Sequence, residues 1–447
     1  MKNFVFCSLK TNGALAQLAR VSDWQSGGHG SDSRMLHQNK HLLMQVLVFF
    51  VSLPSQKNRM EETQHFVAKT FAGIEPVLAD ELARLGARNC RIMSRAVAFE
   101  GDMDMMYRAN YFCRCALRIL WRQKTFKFQN NRQYYEQIFD FPAEKFLRRD
   151  GTMAVHTTCA DSIFKTPLYA SVLAKDAICD RFRDLYDERP DVDRENPDVQ
   201  FHLHIYKDEA QLFVDSSGES LHKRGYKVRN HPAPINEVVA AAMIAMSKWH
   251  GECDFIDPMC GGATLPIEAA MTALNIPAGF YRREYGFLHW KNFDPESWNR
   301  IRKEARIAED VAINFYASDI NPRFLDIARE NIRRARLEDF ITVEKYDAFR
   351  FKPQRVPALV MMNPPYGERL ELEDTEAFYG NIGRALKYNF SGCRAFVISS
   401  DLQALKRVGL KPSTKATLYN GQLECRFLGY ELFEGDRKHH IINKKQS

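Results

Sequence analysis

Asn363-Pro-Pro-Tyr366 is the tetrapeptide of this 447-residue chain whose composition points most directly to chemistry. An exocyclic amino nitrogen on a nucleobase is a poor nucleophile, because its lone pair is delocalised into the ring. The side-chain oxygen of Asn363 and the carbonyl of Pro364 can accept hydrogen bonds from such an NH2 group. That favours a pyramidal nitrogen whose lone pair points at an electrophile. Pro364 and Pro365 fix the backbone so that these acceptors converge. Tyr366 offers a ring to stack on the base, worth about 1–3 kcal/mol by analogy with single-strand binders. The bland alternative is a proline-rich turn that ends a strand.

A second constellation lies upstream. Asp257-Pro-Met-Cys-Gly-Gly-Ala-Thr264 follows a short apolar run, and a glycine turn there lets backbone approach a ligand at the following helix N-terminus. Asp319 ends the next strand-like run, placed to accept hydrogen bonds from ribose hydroxyls, and Asp347 follows the third, within reach of an adenine amine. Each carboxylate alone could be an ordinary N-cap or turn residue. Three at successive strand ends describe one nucleoside pocket.

The elements that must hold these residues are legible from periodicity. Residues 66–71 and 95–100 alternate as strands, and residues 73–85 and 103–117 carry helix spacing, which together predict a small α+β unit. A second such unit is predicted from a strand at 154–158, a helix at 167–185 and strands at 199–206 and 210–215, with a charged loop at 187–198. Glycines and prolines at 216–234 mark a boundary. Beyond it, helix 235–249, strand 253–257, helix 264–274, strand 314–319, helix 322–336 and strands 340–344, 358–362 and 394–399, the last after helix 375–388, predict a doubly wound parallel sheet. Two strand-like runs around Tyr419-Asn-Gly421 predict a closing hairpin.

With 45% apolar and 27% charged residues the chain is an ordinary globular one, which excludes disordered, collagenous and disulfide-scaffold classes. Its ten cysteines form no Cys-x-x-Cys pair and no zinc spacing, so a reduced, metal-free, cytoplasmic protein is expected. The longest apolar run, residues 42–53, is too short for a membrane helix. Residues 1–59 lack periodicity. Gly13-Ala-Leu-Ala-Gln-Leu-Ala-Arg20 and Gly27-Gly-His-Gly-Ser-Asp-Ser-Arg34 resemble a transfer-RNA gene translated in frame. The expectation is an over-extended reading frame with the true start at Met60; a disordered tail is the alternative. The formal charge of +7 falls to +2 when residues 1–59 are removed, so basicity is local, with 11 basic against 3 acidic groups at 84–132.

From about residue 60 to 433 the chain resembles the class I S-adenosylmethionine-dependent methyltransferases that carry an N-terminal THUMP domain, most closely the bacterial 23S rRNA guanine-N2 methyltransferase family. The likeness rests on Ser162-Ile-Phe-Lys-Thr, Asp215-Ser-Ser-Gly-Glu-Ser-Leu-His-Lys-Arg-Gly-Tyr226, Ala233-Pro-Ile-Asn-Glu237, His289-Trp-Lys-Asn-Phe-Asp294, Asp319, Asn363-Pro-Pro-Tyr-Gly-Glu-Arg369 and Leu418-Tyr-Asn-Gly421, together with the glycine turn. It implies an α/β protein: a ferredoxin-like piece plus THUMP module for RNA at 60–225 and a Rossmann-like catalytic domain at 226–447. By that resemblance S-adenosyl-L-methionine is held by Asp257, Pro258, Cys260, Gly261, Asp319 and Asp347, with Pro234 and Asn236 at a flanking helix start. Asn363, Pro364, Pro365 and Tyr366 hold the target base. One departure is Ala263, a methyl group where the family has glycine, which bears on cofactor fit.

The resemblance implies direct transfer of a methyl group to a guanine N2 amine of 23S rRNA or its precursor, without metal. Arg84, Arg88, Arg91, Arg114, Arg118, Arg122, Lys124 and Lys127, interleaved with Phe112, Trp121, Phe126 and Phe128, are candidates for phosphate contacts and stacking. A solvated face with core aromatics between is the alternative for each. Rival functions are adenine-N6 methylation of DNA, which Asn-Pro-Pro-Tyr also suits, and a non-catalytic RNA-binding ribosome-assembly factor.

Overall fold

Two sheets organise the residues that the computed structural model describes, 63–228, 234–365 and 374–433. The expectations for residues 1–59 and for Tyr366 lie outside the described residues. The first sheet is built from β1 (Gln64–Lys69), α1 (Glu75–Arg84), β2 (Arg88–Met93), β3 (Ala96–Gly101), α2 (Met103–Phe112), β4 (Arg118–Lys127), α3 (Asn131–Phe139), β5 (Thr152–Ala160), α4 (Pro167–Tyr186), β6 (Asp191–Val192), β7 (Val199–Tyr206) and β8 (Glu209–Asp215). Its strand order is β2-β3-β1-β4-β8-β7-β5-β6.

The two α+β units expected from periodicity therefore share one eight-stranded sheet. Strand β4 joins them, pairing antiparallel with β1 on one edge and with β8 on the other. Helix spacing carries on to residue 117, but α2 stops at Phe112. Cys113 turns extended at φ −63°, ψ 124°, and leads the buried Cys115 and Ala116 into β4.

The second sheet follows from α5 (Glu237–Met246), β9 (Asp254–Asp257), α6 (Thr264–Ala273), α7 (Pro295–Arg302), β10 (Phe315–Asp319), α8 (Pro322–Arg334), β11 (Ile341–Lys345), β12 (Ala358–Met362), α9 (Thr375–Asn389), β13 (Arg394–Ser399), α10 (Leu402–Arg407), β14 (Thr414–Asn420) and β15 (Leu423–Glu431). The order is β11-β10-β9-β12-β13-β15-β14. Strands β9 to β13 run parallel, while β15 is antiparallel to β13 and β14. All five side chains of β12 are buried, as befits a strand covered on both faces. Strand order reverses between β9 and β12, and in open parallel sheets a ligand crevice forms at the strand carboxyl ends of such a point. The predicted closing hairpin forms with Gly421 at φ +70° in its turn.

Charged and aromatic side chains join the two sheets' helices. Arg108 pairs with Glu304 at 2.7 Å and Arg300 with Asp104 at 2.6 Å. Arg114 donates to the carbonyls of Met271 and Ile276 at 3.0 and 2.6 Å. Tyr107 packs edge-on against Phe287, which in turn touches Trp298. Part of the basic stretch 84–132 is thereby explained as structure. Arg118 is bound to Asp215, Lys124 donates to the Gln137 carbonyl, and Phe126 and Phe128 are core. Of the basic candidates, Arg84, Arg88, Arg91 and Lys127 are exposed.

Candidate functional site

Strand β9 ends in Asp257, whose side chain is 1% exposed. Its Oδ1 accepts the Met259 N–H at 3.2 Å. Burial, aided by the nearby Asp319 charge and opposed by that N–H, pushes its carboxyl well above the usual carboxylate range. The chain then turns tightly: the Cys260 N–H donates to the Ser318 carbonyl and the Ala263 N–H to the Cys260 carbonyl. Gly261 and Ala263 both take left-handed backbone, at φ +50° and +60°. Burial, then Asp257 and Asp319, raise the Cys260 thiol far above its ordinary value, so it is neutral packing at this turn rather than a thiolate nucleophile.

Strand β10 brings Asp319 across the turn. One carboxylate oxygen accepts the Gly261 N–H at 3.0 Å and the other the Asn321 N–H at 2.9 Å. Each oxygen retains lone-pair capacity beyond these bonds. Asp347 is turned partly inward to its own loop, accepting the Phe349 N–H at 2.9 Å with Arg350 at 3.7 Å.

Strand β12 delivers Asn363, Pro364 and Pro365. The Asn363 Oδ1 is buried with no hydrogen-bond partner among the described residues. Unsatisfied buried acceptors are costly, about 1–3 kcal/mol, and ask for an explanation. The Pro365 carbonyl accepts from the Tyr379 hydroxyl at 3.4 Å, and that hydroxyl also bonds Ser399 at 2.7 Å. Helix α9 and strand β13 thus brace the turn from behind.

A cavity of about 300 Å³ gathers these residues. Asp257, Pro258, Cys260, Gly261, Asp319, Asp347, Asn363, Pro364, Pro365 and Pro234 all line it. Asn236 does not; its side chain caps α5 through the Val238 N–H at 2.9 Å, and its own N–H donates to Asn420 at 3.1 Å. Ala263 is also absent from the lining, its methyl group fully buried beneath the turn. The departure from glycine therefore leaves the cavity's shape untouched.

Several lining residues escaped the sequence reading. Ile320 is 67% exposed at this cavity although apolar, and its position directly after Asp319 was an available signal. Phe349 and Phe378 meet edge-on at 5.3 Å in the wall. Asn331, 1% exposed, donates to the Gly262 carbonyl at 2.9 Å and accepts the Val228 N–H at 3.0 Å, tying the glycine turn to residues 224–228. An asparagine in the middle of a helix carries no sequence signal for such a role. Among the described residues no group of three His, Cys, Asp or Glu side chains is placed to hold a metal ion, and no helix is long and apolar enough to cross a membrane.

Comparison with known proteins agrees with this geometry. Residues 224–428 match an RMKL-like methyltransferase domain, residues 65–120 an RlmL ferredoxin-like domain and residues 129–215 a THUMP domain. A protein of Syntrophotalea carbinolica named ribosomal RNA large subunit methyltransferase K/L is 34% identical over 84% of the chain. The chain spans only 54% of that relative's length. A Synechocystis protein provisionally named an RNA methyltransferase is 32% identical over 83% of the chain and 97% of its own. Among solved structures, SMU.472, provisionally a methyltransferase and complexed with SAH, superposes with a TM-score of 0.76 at 28% identity, covering 84% of this chain and 99% of its own. A Listeria monocytogenes protein described as a predicted N6-adenine-specific DNA methylase gives 0.74 at 30% identity, over 83% and 96%.

Proposed function

The chain belongs to the RMKL-like methyltransferase family with ferredoxin-like and THUMP domains, and we propose that it methylates the exocyclic N2 amine of a guanine in large-subunit ribosomal RNA, using S-adenosylmethionine. The observation that carries the chemistry is the orphaned, buried Asn363 Oδ1 in the same cavity as Asp319 and the glycine turn. A site with an unpaired acceptor fits a ligand that brings a donor, and an exocyclic NH2 is one. When bound, S-adenosylmethionine supplies a methyl group on a cationic sulfur.

The residues present suit that cofactor. The Asp319 carboxylate has acceptor capacity for ribose hydroxyls, and the exposed Ile320 beside it offers an apolar face. The acidic Asp319 side chain favours a cationic ligand, whose charge would in turn draw the raised Asp257 carboxyl back toward its ionised form. Asn363 Oδ1 accepts one N–H of the target amine, which leaves the nitrogen lone pair free for the methyl group. An amide is not basic at neutral pH, so the proton of the methylated amine leaves to water. Positioning and desolvation carry the rate. The target base must be turned out of its helix, at a cost of a few kcal/mol, and Tyr366 is the proposed stacking partner.

The choice of RNA rests on the THUMP match and on the ribosomal relatives' names, and an rRNA substrate places the enzyme in the cytoplasm. The division into an RNA module at 60–225 and a catalytic domain at 226–447 belongs to the same proposal. A second reading, adenine-N6 methylation of DNA, is favoured by the Listeria neighbour's description. Purified protein incubated with labelled S-adenosylmethionine and either unmodified large-subunit rRNA or genomic DNA separates them. Digestion and nucleoside mass spectrometry are expected to find label in N2-methylguanosine. Label in N6-methyladenine of DNA would select the second reading, and no label in either would reject both.

A further inference from the structure

Beside the cofactor cavity lies a larger cleft, of about 1360 Å³, that shares Lys227, Pro234 and Ile235 with it as a common wall. Its other walls come mainly from residues 219–228, the loop 280–285 and the end of α8, with Asn236, Glu237, Trp298, Arg302, Asn420 and Gly421 completing them. Nine lysines and arginines line it against three glutamates.

Five of the nine have structural work. Arg224 is buried on the Glu268 carboxylate and the Leu221 and Arg114 carbonyls, and Arg282 donates to five backbone carbonyls between Ser217 and Glu284. Lys227 pairs with Glu237 at 3.0 Å, Lys223 with Glu219, and Arg302 covers the Trp298 ring. Arg283, Arg333, Arg334 and Arg336 remain. All four are exposed, and their side chains make no hydrogen bond or ion pair with any described residue.

Two of these four have an ordinary explanation. Arg333 and Arg334 sit in the last turn of α8, where a cation gains about 0.3–1 kcal/mol from the helix dipole. That does not account for Arg283, about fifty residues away in sequence and brought to the same cleft. The approach is built: the Tyr281 hydroxyl donates to the Ala335 carbonyl and fastens the loop to the end of α8. Next to Tyr281, and edge-on to it at 5.0 Å, Phe280 is 41% exposed at the cleft. Guanidinium groups that recognise phosphate, beside an exposed ring that can stack a base, are the chemistry of single-strand binding.

We propose that this cleft holds the sugar–phosphate backbone of a single-stranded RNA segment whose target base enters the neighbouring cavity past Lys227, Pro234 and Ile235. The proposal rests on the RNA reading above and adds to it the surface that receives the strand. It adds phosphate contacts on the methyltransferase domain to the exposed candidates Arg84, Arg88, Arg91 and Lys127 of the 84–132 stretch.

Fluorescence anisotropy of a labelled single-stranded oligouridine, titrated with the full chain over a salt series, tests it. R333Q/R334Q is expected to bind at least about tenfold more weakly and to reduce the slope of log affinity against log salt by about 1.4, as for two phosphate contacts on a single strand. R333K/R334K is expected to keep the wild-type slope, and R283Q alone to reduce it by about 0.7. Neutralising two exposed lysines elsewhere, K387Q/K406Q, is expected to change nothing. S-adenosylhomocysteine binding, measured by calorimetry, verifies folding of each variant. Unchanged affinity and slope in both R333Q/R334Q and R283Q, or an equal loss in K387Q/K406Q, overturns the proposal. Wild-type protein that binds oligouridine through these arginines yet methylates no rRNA overturns the functional reading instead.

Discussion

Asp257 shows how one buried carboxylate at a site costs the fold stability. Burial and the Asp319 charge hold its carboxyl above the ordinary value of 3.8. Above that pH the folded state therefore binds more protons than the unfolded one, and stability falls as pH rises toward the folded pKa. Asp257→Asn removes that penalty. Denaturation of the ligand-free protein is expected to give equal stability for variant and wild type near about pH 4, and a more stable variant near about pH 8. Parallel pH profiles would refute the assignment. The acidic strand ends and Asn363 were legible in the sequence because short apolar strands announce where their ends fall. The roles of Asn331 and Tyr379 were not, since each acts across more than a dozen residues of chain through contacts that only the fold creates.

The helices and strands of the second sheet follow their periodicity closely, and β12 and β13 have the bounds expected from it. Helices α7 and α10 were missed, although Asp294 and Asp401 cap them as N-cap residues and Pro295 opens the first. Both are short, too short for periodicity to register. Strand β4 was hidden for a different reason. Its Arg118 and Lys124 are polar in composition but bond inside the fold, so charge masks a central strand. The elements also meet with little clearance. A Cβ on Gly286 would lie 2.7 Å from the Asp215 carbonyl oxygen and 2.9 Å from the Gly218 nitrogen, both backbone. Gly286→Ala is expected to destabilise the protein by about 1–3 kcal/mol, as overpacking does, read as a lowered Tm. An unchanged Tm would mean that the end of β8 and the 286 turn are not in contact.

Across the whole molecule, charge has two uses that composition cannot separate. Within the eight-stranded sheet and at its junction with the methyltransferase domain, Arg108, Arg114 and Arg118 are structural. Arg114 carries this furthest: its guanidinium donates to the carbonyls of Met271 in the last turn of α6 and Ile276 just after it, with the Glu268 and Glu81 charges nearby. Arg114→Ala is expected to cost about 1–3 kcal/mol, because it leaves the Met271 and Ile276 carbonyls without their donor. Chemical denaturation that shows less than about 1 kcal/mol would contradict a structural joint at these carbonyls. In the cleft beside the cavity, by contrast, Arg283, Arg333, Arg334 and Arg336 face outward, paired with no described acid. The net charge of +7 predicts neither arrangement. The whole arrangement converges on Asn363, and the most direct test of the account compares cells lacking the gene after complementation with wild type or Asn363→Ala. Wild type is expected to restore N2-methylguanosine in large-subunit rRNA. Purified Asn363→Ala is expected to bind S-adenosylhomocysteine normally while turning over at least about a hundredfold more slowly, leaving the rRNA mark unrestored. Full restoration of the mark by Asn363→Ala, or no guanosine mark that depends on the wild-type protein, would contradict it.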